Sequence, residues 1–194
     1  MKFSEKLKQA TAVAHSQLED QEISKALLSK EISLKDYCTY LQLMQGLLQS
    51  AENQVFPLLS NQLKSNSSRK KAYLIQEDLN FLGWKEESLK EPQVYFDQEY
   101  SEAFAFGIAY VFEGSTLGGR MIYKHVEDKL ALTANSGASY FFGYGEKTGM
   151  MWKEFLEALN SFESENQQGD AIIAGAKHAF LKIKDTFQSA AHLV

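Results

Sequence analysis

The amino-acid sequence predicts a single all-α domain over residues 1–194. Three features carry that expectation. Apolar residues recur at helical rather than alternating spacing over long stretches. Only two prolines, Pro57 and Pro92, interrupt them. The length, 194 residues, suits one domain, which buries roughly 70% of the surface its unfolded chain exposes.

The first helix is expected over residues 4–19, with Ser4 as its N-cap and Leu7, Ala10, Thr11, Ala14 and Leu18 on one face. Ser33-Leu34-Lys35-Asp36 resembles a capping box, with Asp where Glu is preferred. It opens a stripe of Leu34, Tyr37, Cys38, Leu41, Met44 and Leu48, which Pro57 should bend or end. Residues 69–82 form the next amphipathic segment, stopped by Gly83, and residues 84–97 read as a loop. A long helix should run from about Gln98 to about Leu132, interrupted by glycines. Ser139 to Phe142 alone could read as a strand, but one short strand would have no partner. Helical patterns return at 147–162 and 169–192, around a polar loop from Glu163 to Gly169. These segments amount to six to eight helices around one core.

The bulk chemistry narrows the function classes. Hydrophobic residues make up 44% and charged residues 23%, an ordinary globular balance. The net charge is -5, with no basic run. Phosphate contacts supply most nucleic-acid affinity, so nucleic acid is not an expected partner. The single cysteine, Cys38, can form neither an internal disulfide nor a cysteine zinc site. The start, Met1-Lys2-Phe3-Ser4-Glu5-Lys6, has no apolar signal core. The longest apolar run, near Ala103 to Phe112, is shorter than the roughly 20 residues a bilayer requires. A cytoplasmic protein with no membrane partner is the expectation.

Two features point to chemistry. His15 lies beside the apolar stripe of the first helix, and Glu19 follows one turn later on the same face. Metal-bound histidines usually donate their second ring N–H to an acceptor, and a proximal histidine commonly holds haem iron. A surface histidine with a chance acidic neighbour is the ordinary alternative. Glu113-Gly114-Ser115-Thr116-Leu117-Gly118-Gly119 places three glycines inside a strongly helical run. Each costs roughly 1 kcal/mol relative to alanine. Gly114 and Gly118 share a face, which suits either a flat macrocycle lying on the backbone or close helix–helix packing. Lys8, two turns before His15, and Lys153, after Trp152, are cations able to meet carboxylates. The Glu-x-x-His signature of ferritin-like di-iron sites is missing, as are P-loop, Gly-x-Gly-x-x-Gly and Gly-x-Ser-x-Gly motifs. His125, His178 and His192 are scattered and read as structural or exposed.

Together these segments resemble the haem oxygenase family. Leu7-Lys8-Gln9-Ala10-Thr11-Ala12-Val13-Ala14-His15 is similar to the family's N-terminal stretch leading to the proximal histidine. Tyr110 to Arg120, reading YVFEGSTLGGR, is similar to the distal helix of bacterial members, and of the phytochrome-associated ones in particular. Gly143-Tyr144-Gly145 with Trp152-Lys153, and Ala176-Lys177-His178-Ala179-Phe180, resemble later family segments. The resemblance runs from residue 7 to about 187. Three positions differ from animal members. Ser115 stands where they carry an aspartate, Val111 replaces an arginine, and Ala12 replaces a frequent basic residue.

The resemblance implies a haem-oxygenase-like helical fold with a glycine-kinked distal helix. It implies His15 as iron ligand, Glu19 as its hydrogen-bond partner, and Lys8 and Lys153 as propionate contacts. Gly114 and Gly118 would lie against the opposite haem face, with Ser115 helping to hold distal water. The implied reaction is oxidative cleavage of haem to biliverdin, carbon monoxide and ferrous iron. Haem is then both substrate and cofactor. Electrons would come from an external donor, a ferredoxin or a reductase, and a bacteriophytochrome could receive the biliverdin. Two alternatives stand beside this: haem binding without turnover, and a thiaminase-like, haem-free use of the same fold with Cys38 as nucleophile.

Overall fold

The computed structural model describes residues 2–63, 66–85 and 95–191. Most of the expected loop over 84–97, Pro92 with it, lies outside the described residues, as does His192. The described residues form eight α-helices: α1 (Phe3–Glu19), α2 (Glu22–Leu27), α3 (Leu34–Gln54), α4 (Ala72–Phe81), α5 (Glu102–Leu130), α6 (Ser139–Phe142), α7 (Thr148–Asn166) and α8 (Gly169–Ser189). Three short 3-10 segments join them, at Phe56–Leu59, Asn66–Arg69 and Gly145–Lys147. There is no strand among the described residues.

Several boundaries follow from local chemistry. The Ser33 hydroxyl accepts from the Asp36 N–H, and the Asp36 carboxylate accepts from the Ser33 N–H, so the capping box at the start of α3 is complete. Pro57 sits in the 3-10 segment just past the end of α3. Gly83, at φ +65, terminates the run after α4 in the left-handed region where glycine has no steric penalty. Ser101 caps α5 through the Phe104 N–H.

Other boundaries depend on distant partners. Lys2, not Ser4, is the N-cap of α1. The Ser4 N–H instead donates to Asn160 Oδ1 on α7 at 2.9 Å, so a tertiary contact satisfies a donor the local sequence leaves open. α4 begins at Ala72 rather than 69, because Glu52 of α3 accepts from the Lys71 and Ala72 N–H groups. Asp78 of α4 accepts from the Ser139 and Tyr140 N–H groups, both at 2.8 Å. That cap makes Ser139 to Phe142 a helical turn and not a strand. α7 continues to Asn166, since buried Phe162 extends its apolar stripe. The expected loop from Glu163 to Gly169 therefore shrinks to Gln167 and Gln168 between α7 and α8.

α5 is one continuous helix of 29 residues, and the glycines at 114, 118 and 119 lie within it without ending it. Its N-terminal half is the centre of the core. Phe106, Ile108 and Phe112 are fully or almost fully buried. The most extensive helix pair in the fold is α5 with α8, followed by α1 with α8. The first of these crossings rests on two glycines. A Cβ on Gly107 would collide with the Ile172 carbonyl and stand 2.5 Å from the Ala176 nitrogen. A Cβ on Gly175 would collide with the Phe104 carbonyl. Backbone cannot move aside as a side chain can, so neither position accepts a methyl group without separating the helices.

Gly107→Ala and Gly175→Ala are each expected to destabilise the protein by about 3 kcal/mol, read as a lower urea midpoint with an unchanged slope. A loss below about 0.5 kcal/mol in either variant would show that the helices are not in backbone contact there.

Candidate functional site

His15 stands on α1, and its imidazole is largely exposed, with 61% of the side chain accessible. Glu19, one turn on, brings Oε2 to 3.4 Å from His15 Nδ1. The other ring edge rests on Phe180 of α8, centroid to centroid at 5.8 Å and near perpendicular. The ring is thus oriented through Nδ1 and a ring contact, with Nε2 left open. Lys8 is exposed and makes no ion pair among the described residues. Lys153 is 78% exposed and pairs with Glu157 at 3.8 Å, a surface contact worth little.

The glycine helix presents different surroundings at each turn. Gly118 is exposed, and a Cβ built there meets nothing within 4 Å. Gly114, one turn earlier, faces the Trp152 ring of α7 at 3.4 Å. Gly119 faces Phe141 of α6 at 3.5 Å. Of the two glycines that share a face in the sequence, only Gly118 looks into open space. Close helix packing, the other reading of this spacing, is found instead at Gly107 and Gly175.

Ser115 donates its hydroxyl proton to the Phe112 carbonyl at 2.7 Å. Its lone pairs remain available. Desolvation raises Tyr140 far above the ordinary phenol range. Tyr40 of α3 is pushed up to about 12 by the same cause. Both rings are nevertheless only half-buried by accessible surface. Tyr40 also meets Phe141 at 5.7 Å and Phe187 of α8 at 5.5 Å. An aromatic wall therefore runs from α8 across α3 to α6. Both tyrosines remain protonated throughout the physiological range and serve as neutral donors.

Behind the glycine helix lies a buried charge cluster. Arg69 and Glu113 are 0% and 1% exposed and form a direct ion pair. Lys71, 4% exposed, donates to Glu113 Oε1 at 3.0 Å and to the Tyr144 hydroxyl at 2.7 Å. Tyr144 in turn donates to Glu113 Oε1 at 2.8 Å. The neighbouring carboxylate and burial hold the Tyr144 phenol well above its ordinary range, with burial the larger cause.

The remaining candidates are structural. His125 meets the Ser29 carbonyl at 2.9 Å. His178 sits among Phe96, Tyr100 and Phe104, and burial lowers its pKa. Among the described residues no group of three or more His, Cys, Asp or Glu could hold a metal ion. One imidazole suffices where a porphyrin supplies the other nitrogens. Among the described residues no helix is long and apolar enough to cross a membrane. A concavity of about 720 Å³ lies between the start of α1 and the end of α7. Its lining of Lys2, Lys6, Glu157, Glu163 and Asp170 mixes both charges, and it contains none of the predicted site residues.

The heme oxygenase family model matches residues 1–189. The chain belongs to the haem oxygenase family. Among its relatives, heme oxygenase of Xanthomonas campestris pv. campestris is 29% identical over 157 residues, covering 80% of this chain and 90% of that protein. The fold is shared with solved haem oxygenases. That of Neisseria meningitidis, studied with NO and CO bound, superposes with a TM-score of 0.77 at 23% identity, covering 100% of this chain and 94% of the other. That of Leptospira interrogans gives 0.78 at 19% identity, with coverage of 97% and 100%. That of the cyanobacterium Synechocystis, in complex with haem, gives 0.72 at 15% identity, with coverage of 98% and 92%.

The haem oxygenase fold leaves no role for Cys38 as a nucleophile. The thiol is fully buried on α3, and burial with the nearby Asp78 charge pushes it up to about 12. The thiolate is the reactive form, so the native protein should resist a thiol reagent such as DTNB at pH 8 and react fully only once unfolded in guanidinium. Rapid labelling of the native protein would show that α3 exposes this side chain.

Proposed function

We propose that this haem oxygenase binds haem through His15 and opens the ring to biliverdin, releasing carbon monoxide and ferrous iron. The observation that carries the reading is the state of His15: oriented by Glu19 through Nδ1, open at Nε2, and seated at the edge of the core on Phe180. When bound, haem supplies the iron and the conjugated ring on which the oxygen chemistry takes place.

The chain's own residues supply orientation and proton control. With His15 neutral, Nδ1–H faces the Glu19 carboxylate and Nε2 carries the lone pair a metal needs. Gly118 offers bare helix backbone with nothing in front of it, which lets a flat ring approach more closely than any side chain would allow. The Ser115 proton is committed to the Phe112 carbonyl. Ser115 therefore acts as an acceptor towards a water, and the donors on the aromatic wall are Tyr140 and Tyr40. Lys8 is the better propionate contact, because Lys153 must first leave Glu157. The flat ring would meet Gly114 only at the edge of Trp152. No flavin or nicotinamide motif occurs in the sequence, which supports an external ferredoxin or reductase as electron donor. Transfer of biliverdin to a bacteriophytochrome belongs to the same reading.

Haem titration should give a Soret band saturating at one haem per chain. Ascorbate in air should then convert it to a biliverdin spectrum. His15→Ala should lose the imidazole-ligated spectrum and at least about 100-fold in turnover. A stable Soret band that never decays would identify a haem carrier, and no stoichiometric binding would remove the haem reading altogether.

Gly118→Ala separates a site glycine from a structural one. Its Cβ has open space, so the apo protein should gain about 1 kcal/mol from helix propensity. The same methyl group would meet the ring, so haem affinity or turnover should fall. Gain of stability with unchanged haem chemistry would place the ring elsewhere.

A further inference from the structure

Glu113 lies about 140° around α5 from Gly118, on the side turned away from the open face. The surroundings described above hold α5 on three sides over residues 113–119, about two turns. Trp152 covers Gly114, Phe141 covers Gly119, and the buried cations hold Glu113. The Gly118 direction is free, with Ser115 and Leu117 also exposed on either side of it. The cluster also reaches one of the other two walls. The Arg69 guanidinium stands over the Phe155 ring at 5.9 Å, and Phe155 stacks on Trp152 at 5.7 Å with 10° between planes. Arg69 donates as well to the Met151 carbonyl at 3.1 Å, on the same helix as Trp152.

From this geometry we propose that Arg69, Lys71, Glu113 and Tyr144 form a positioning clamp that fixes the rotation of α5 and so the placement of the Gly118 backbone. The clamp rests on the reading of Gly118 as the haem-facing backbone. It does not touch that face and takes no part in bond making. Three features distinguish it from an incidental buried ion pair. Glu113 has both oxygens engaged, one by Arg69 and the other by Lys71 and Tyr144, so its side chain has no second rotamer that keeps its partners. The partners of Glu113 come from two separate parts of the chain, before α4 and before the Gly145–Lys147 turn, and Arg69 ties the cluster on to α7 through the Met151 carbonyl, so rotation of α5 would break its contacts to both. The arrangement is also not optimised for stability: Arg69 Nε is buried with no hydrogen-bond partner, and buried ion clusters are weak stabilisers even when complete. A group of this kind persists where it specifies one arrangement over close alternatives.

The test uses Glu113→Gln and Tyr144→Phe. Gln keeps the shape of Glu and removes the charge that Arg69 and Lys71 grip. Phe removes one donor from Glu113 and one acceptor from Lys71, and it is the milder change should Glu113→Gln fail to fold. Amide hydrogen exchange of the apo protein reads the clamp directly. Exchange at residues 114–119 should rise at least about tenfold in a folded variant, while α1 and α3 keep their protection. In the haem-loaded protein the stretching band of added carbon monoxide should broaden or split. Turnover should fall about tenfold with haem affinity within about threefold, because a misplaced site costs rate more than binding. Unchanged exchange at 114–119 with an unchanged carbon monoxide band would overturn the clamp. A wild-type protein that fails to bind haem would overturn the functional reading instead, and the apo exchange result would still decide the clamp.

Discussion

The crossing of α5 and α8 at Gly107 and Gly175 is the constraint on which the remaining structure depends. Each glycine lies against the other helix's backbone, with no room for a single carbon. Helices normally pack 8–10 Å apart at a distance set by their side chains; removing the side chain at both contact points draws the axes together. α8 then serves as the common floor of the molecule. It carries Phe180 under His15 of α1 and Phe187 against Tyr40 of α3. A wider crossing would shift His15 and the aromatic wall relative to the glycine helix.

Two kinds of glycine thus act within one helix. Gly107 is closed on by backbone and sets the fold, whereas Gly118 is open. Glycine in a helix costs roughly 1 kcal/mol in both cases. At Gly107 packing offsets the cost within the protein itself. At Gly118 nothing in the protein offsets it, which is the imbalance expected where a ligand completes the surface.

The buried charges follow the same logic. Leaving a buried donor unsatisfied costs about 1–3 kcal/mol, and the Arg69 Nε stands in that state. Acidic groups elsewhere in the interior act as caps, and burial raises both Asp78 and Glu52 above their usual carboxylate range. A raised carboxylate pKa means that the folded state holds its proton more tightly than the unfolded chain does. The contribution of these two groups is therefore fullest at acid pH and declines as pH rises through their folded pKa values. They are retained because each starts a helix: Glu52 begins α4, and Asp78 begins α6 and with it the placement of Tyr140.

The sequence by itself determined the helical class, most helix positions, the α3 capping box, and the pairing of His15 with Glu19. These depend on interactions within about four residues, where spacing and side-chain chemistry are enough. Its resemblance to haem oxygenases also located the glycine helix. Tertiary structure decided the rest. It moved the caps of α1, α4 and α6 to Asn160, Glu52 and Asp78, residues 61 to 156 positions away in two of the three cases. It separated Gly114, covered by Trp152, from Gly118, which is open. It also buried Arg69, Lys71 and Glu113 together, although charged residues are mostly exposed. Whether a charged side chain lies inside depends on the partners folding brings to it. Those partners stand 42 to 44 residues apart in the chain, beyond the reach of any local pattern.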